Sequence, residues 1–216
     1  MKIKNIKVMN TQTAKSQAAL SPKEALTLLE EGNKRFINNS TADRDLLKQV
    51  NETSHGQYPF AVVLSCIDSR VPAEIVFDQG VGDIFSARIA GNFVNEDILG
   101  SLEFACKAAG SKLIVVLGHT SCGAVKGACD HVELGNLTGM LKKLKPAIDA
   151  VSTDGERSSK NAEYVQKVAD KNVELTIQQI KEKSPVLKEM LDDGTIGIAG
   201  GMYDVTSGKV KFSQRP

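Results

Sequence analysis

The sequence contains no tryptophan, and only seven phenylalanines and three tyrosines among 216 residues. Proteins that hold single-stranded nucleic acid stack bases on aromatic rings, and this chain offers little for such a platform. An excess of positive charge is missing too: 27 Lys and Arg against 26 Asp and Glu leave a formal net charge of +1. A nucleic-acid surface needs a concentrated basic face, so both absences point away from that class. No apolar run reaches the roughly 20 residues of a membrane-spanning helix. Residues 1–20 carry Lys2, Lys4, Lys7 and Lys15 and then polar Asn10, Thr11 and Gln12, without the continuous apolar stretch of a signal peptide. This stretch is expected to be a flexible tail. The expected compartment is the cytoplasm, the alternative being an exported form whose signal has been removed. Four cysteines, Cys66, Cys106, Cys122 and Cys129, include no Cys-x-x-Cys pair, which counts against a thiol redox protein. They are also too sparse for a disulfide scaffold.

What is present fits one globular domain over residues 21–216, with 41% apolar and 25% charged residues overall. Ser21-Pro22-Lys23-Glu24 is a helix start: Ser21 caps, Pro22 suits the first helical position, and Glu24 completes a capping box. Leu28, Leu29 and Phe36 extend that helix to about Asn38. A second short helix is expected over residues 43–50. The apolar run at 60–65 reads as a strand buried on both faces, and 83–90 and 112–118 as two further strands, with a helix over 96–109 between them. That βαβ pattern predicts an α/β fold with a mostly parallel central β-sheet flanked by helices and carrying an N-terminal helical arm. Further helices are expected at 123–131, 137–148, 161–183 and 185–191, with a polar loop at 152–160. Strands at 195–205 and 210–213, joined by a Ser207-Gly208 turn, would add an antiparallel edge strand.

Chemistry concentrates in Cys66-Ile-Asp68-Ser-Arg70 and His119-Thr-Ser-Cys122, each placed directly after a predicted parallel strand. Loops at the carboxyl ends of such strands supply functional groups. Two thiolates and one imidazole are a plausible Zn²⁺ set that leaves a fourth position open. Cys122 also precedes a predicted helix, whose dipole favours its thiolate. Alone, each residue has a plainer reading: a buried small cysteine, a hydrogen-bonded core histidine, a structural Asp68–Arg70 ion pair. Their shared position at strand ends weighs against those readings.

The same residues carry a family resemblance. The two segments, in this order, resemble the β-class carbonic anhydrases, as do Phe77-Asp-Gln-Gly80, Gly82-Asp-Ile-Phe85, Ala90-Gly-Asn92 and Gly32-Asn-Lys-Arg-Phe36. The resemblance runs from Ser21 almost to the end. It implies one Zn²⁺ per chain on Cys66, His119 and Cys122, with Asp68 and Arg70 as catalytic dyad. It further implies reversible hydration of CO2 to bicarbonate by zinc-hydroxide attack, and a homodimer or dimer of dimers with helix 21–38 and the following segment wrapped around the partner. By position it assigns substrate contacts to Gln57, Phe85, Ala90, Phe104 and Gly123. Phe104 stands where the plant-like subtype has Tyr, so that hydroxyl is lost. Val63 stands where the other subtype has the Trp of an inhibitory bicarbonate site. Gln57 and Val63 therefore resemble the plant-like subtype, for which Asp68 is expected to stay off the zinc at neutral pH.

Other features are set aside. Gly118–Gly123 lacks the Lys of a phosphate loop, Ala124 standing in its place, and Gly80-Val-Gly82 lacks the third glycine of a dinucleotide fingerprint. Cys106 and Cys129 read as core, and His55 and His131 as surface or capping residues, with His55 near Gln57 a weak proton-carrier candidate. Two further alternatives stay open on sequence: a carbon disulfide hydrolase, and a non-catalytic zinc protein in which Asp68 closes the coordination shell.

Overall fold

Where a tail was expected, the computed structural model, which describes residues 10–216, has a short helix α1 (Ala14–Ala19). Thr13 and Ser16 cap it reciprocally. The Gln17 side chain is buried and donates 2.8 Å bonds to the carbonyls of Pro59 and Ala109. A buried amide with two carbonyl partners ties down a segment whose polar composition suggested freedom. The rest of the tail expectation, over residues 1–9, lies outside the described residues.

Helix α2 (Pro22–Ile37) begins as expected. The Ser21 hydroxyl accepts from the Glu24 N–H while the Glu24 carboxylate accepts from the Ser21 N–H at 2.8 Å. Its stripe of Ala25, Leu26 and Leu29 packs on the chain's own sheet. Helix α3 (Leu46–Thr53) starts three residues later than expected because Asp45 is the cap, accepting from the Lys48 N–H at 2.9 Å. Arg44 instead turns its guanidinium onto buried Asp78.

Then follow β1 (Ala61–Ser65), a one-turn helix α4 (Ala73–Val76), β2 (Ile84–Arg88), α5 (Glu96–Glu103) and β3 (Leu113–His119). Every residue of β1 and β3 is buried, as near-continuous apolar runs in a parallel sheet should be. Odd positions of β1 and β3, such as Val63, Val115 and Leu117, face α2 and α4. Even positions, such as Leu64, Ile114 and Val116, face the other helical layer. Full burial of each such side chain contributes about 1.5–3 kcal/mol. The end of the helix expected at 96–109 widens into a π-helical turn, Phe104–Ala108.

The chain continues through α6 (Gly123–Cys129), α7 (Gly135–Leu141), α8 (Lys145–Ala150), α9 (Ala162–Lys183), α10 (Pro185–Asp192), β4 (Gly197–Tyr203) and β5 (Val210–Gln214). The single helix expected at 137–148 is divided by a 3-10 turn at Lys142–Leu144, just before Pro146, which has no N–H to continue it. Strand order is β2-β1-β3-β4-β5, parallel except for β5 at the edge. Among the described residues, no helix is long and apolar enough to cross a membrane.

Candidate metal centre

Strand order places the site. From β1 the chain runs outward to β2, then crosses back to β3 on the other side of β1. Loops after β1 and β3 therefore leave in opposite directions and open a crevice between their carboxyl ends, where α/β sheets bind ligands. Ser65 pairs with Leu117, so Cys66, the residue after β1, lies beside the end of β3, where His119 sits. Ser121 takes a left-handed conformation, φ 55°, which is uncommon for a non-glycine residue and returns the chain so that Cys122 comes back toward His119.

The ligand-capable atoms of Cys66, His119 and Cys122 all lie within 4.8 Å of one another, and all three residues are buried. His119 Nδ1 is 2.9 Å from the Thr120 carbonyl, which fixes the proton on that nitrogen and leaves Nε2 with a free lone pair. That Nε2 is buried and, among the described residues, has no hydrogen-bond partner. The sulfurs of Cys66 and Cys122 are 4.0 Å apart. Two Zn–S bonds of about 2.3 Å at the tetrahedral angle would separate sulfurs by about 3.8 Å, so the donor set fits a zinc ion. Contact with Cys122 draws the Cys66 thiol down, while the same contact and burial push Cys122 up. The pair by itself shares one proton between two sulfurs; a divalent cation makes two thiolates tenable.

Asp68 stands beside this cluster, its Oδ2 3.9 Å from His119 Nε2. Arg70 grips it bidentately, Nε to Oδ1 at 2.9 Å and Nη2 to Oδ2 at 2.8 Å, with its backbone N–H adding a third bond to Oδ1 at 3.0 Å. These bonds hold the Asp68 carboxyl well below the usual carboxylate range. Arg88 at the end of β2 braces the same loop, donating to the carbonyls of Cys66 at 2.9 Å and Asp68 at 2.7 Å.

Solved structures share this architecture. One of two tetrameric beta-carbonic anhydrases from Sordaria macrospora aligns with a TM-score of 0.63 at 26% identity, over 77% of this chain and 89% of that one. CafA of Aspergillus fumigatus shares the fold, with a TM-score of 0.68 at 24% identity over 89% and 91%. Carbonic anhydrase 2 of Mycobacterium tuberculosis is 34% identical over 197 residues, 88% of this chain and 91% of that protein. The family model described as carbonic anhydrase matches residues 61–210. The chain belongs to the β-class carbonic anhydrases.

Against that family, the residues assigned to substrate divide into two groups. Ala90 leads into Gly91, whose N–H donates to Cys66 Sγ at 3.4 Å. Gly123 follows Cys122, is exposed, and faces open space. Both border the metal centre. Phe85 pairs with Val62, four residues before Cys66 and about 13 Å away along the sheet. Its ring meets that of Phe104 edge-on, centroids 6.1 Å apart, in an open groove of about 840 Å³. Gln57 is exposed in the loop before β1, whereas Cys66 follows β1, so the length of a strand separates them. Within one chain these three residues do not meet the cluster.

Cys106 and Cys129 are buried but lie outside the donor set, and burial pushes their thiols up to about 12 and about 11. His55 and His131 are exposed. Arg88 and Asn172, which donates to the carbonyl of Gly91 in the Ala90-Gly-Asn92 motif at 2.8 Å, touch the site's framework without having been singled out. Only Asn172 left a sequence signal: a polar residue on the apolar stripe of a long helix.

Proposed function

We propose that this chain catalyses the reversible hydration of carbon dioxide to bicarbonate and a proton, with one zinc ion per chain held by Cys66, His119 and Cys122. The observation that carries this reading is the buried His119 Nε2, without a hydrogen-bond partner among the described residues, beside two thiols and with an ionised carboxylate 3.9 Å away. Bound zinc supplies Lewis acidity that makes water nucleophilic at neutral pH. Asp68, ionised and acceptor-only, takes a hydrogen bond from the attacking water and aims its lone pair at the carbon. Arg70 fixes the carboxylate plane through its fork and keeps Asp68 turned outward, which supports the expectation that Asp68 stays off the metal at neutral pH. Residues 21–216 act as one catalytic domain in this reading.

Gln57, Phe85 and Phe104 can reach a metal centre only across a contact between two copies, which supports a homodimer. Exposed apolar residues supply material for that contact: Leu46, Leu47 and Val50 on α3, Phe104, and Ile67 beside the site, with Leu47 78% exposed. Stopped-flow CO2 hydration tests the chemistry. Asp68→Asn should retain zinc while kcat falls by about 10²–10⁴. A metal-loaded Asp68→Asn enzyme as fast as the wild type would remove Asp68 from the mechanism.

A further inference from the structure

We propose that Asn172, in the middle of α9 and 81 residues from the Gly91 it contacts, is a positioning residue for the Cys66 sulfur. The proposal rests on the metal-centre reading above. Asn172 is 4% exposed, beside apolar Val168, Ala169 and Val173 on the buried face of its helix. A buried amide in such company needs a partner, and its Nδ2 donates to the Gly91 carbonyl at 2.8 Å. Gly91 in turn donates its N–H to Cys66 Sγ at 3.4 Å. The link from helix to sulfur therefore passes through one residue.

That residue is closely confined. Gly91 has φ 82°, the left-handed region, and a Cβ placed on it would lie 3.1 Å from both terminal methyls of Leu144. The carbonyl, in the 91–92 peptide, and the N–H, in the 90–91 peptide, meet at the Gly91 Cα, so the Asn172 bond anchors that atom and with it the distance from N–H to sulfur. Remove the amide, and the buried carbonyl must find another partner by a shift of the Gly91 backbone, which moves the Cα it shares with the N–H and bends or lengthens the N–H···S contact. An N–H bond to a thiolate stabilises it and orients the lone pair it offers a cation, as supporting hydrogen bonds do around metal ligands. The sheet accommodates this reach at Gly118, where a Cβ would lie 2.7 Å from Val173 Cγ2 and hold α9 away.

Cadmium-113-loaded protein provides the test. In the wild type, the Gly91 amide proton should show scalar coupling to the metal through the N–H···S bond. Asn172→Leu should lose or at least halve that coupling, shift the thiolate-to-metal absorption of the cobalt-substituted protein, and reduce metal retention against a chelator by about tenfold to a hundredfold. Val173→Ala, its neighbour on α9, should lower the melting temperature without moving the absorption band. Absence of the Gly91 coupling in the wild type, which requires no variant to fold, would overturn the proposal. So would an unmoved band and unchanged retention in Asn172→Leu, or an equal band shift in Val173→Ala. A wild type that takes up no cadmium would overturn the metal-centre reading itself.

Discussion

Two thiols and an imidazole become a site only when brought together, and their residue types were readable before any geometry. Cys66, Asp68, Arg70, His119 and Cys122 sit at strand ends in the sequence, and the fold gathers all five. Gly91 stood in the Ala90-Gly-Asn92 motif with no role attached, and Asn172 was a polar residue on an apolar helical stripe; neither could be tied to Cys66 without the fold. Cys106 offers a separate test of how burial governs these thiols. In the folded protein its thiol is pushed from about 9 up to about 12 by desolvation. Between those values the folded state keeps a proton that the unfolded state releases, so stability is present below pH 9 and falls as pH rises toward 12. The loss across that window is about 4 kcal/mol. Urea unfolding of Cys106→Ala from pH 9 to 11 should show a shallower decline than the wild type; parallel declines would contradict the assignment.

Elements were legible where a local rule decided them. The capping box at Ser21, the apolar runs of β1 and β3, and the long helix α9 all formed as expected. Rules gave way where a distant contact decided. Helix α1 exists because Gln17 finds carbonyls 42 and 92 residues away. Helix α3 begins at Leu46, with Asp45 as its cap, while Arg44 before it is committed to Asp78, 34 residues away. The π-helical turn that carries Phe104 has no sequence signature that periodicity detects. Removing the Gln17 amide leaves two carbonyls without their partner, a cost of about 1–3 kcal/mol. Gln17→Ala should therefore lower stability by that amount in chemical denaturation while leaving zinc binding intact. An unchanged midpoint would mean that the α1 anchor contributes nothing.

At the scale of the whole molecule, the sheet order, and not any single motif, brings the two ligand segments to one crevice. It also leaves Gln57 and the Phe85–Phe104 groove remote from that crevice, which makes association with a second copy part of the functional account. Leu47→Asp, placed on the exposed face of α3, should shift sedimentation from dimer toward monomer and reduce hydration activity in parallel. A monomeric wild type with full activity would contradict the shared-site account. The most direct test of the whole is zinc content and stopped-flow CO2 hydration measured on one sample of folded protein. The account predicts one zinc per chain and rapid hydration, both lost together in folded Cys66→Ser. Folded wild-type protein without zinc, or fully zinc-loaded protein that does not hydrate CO2 at any pH, would contradict it.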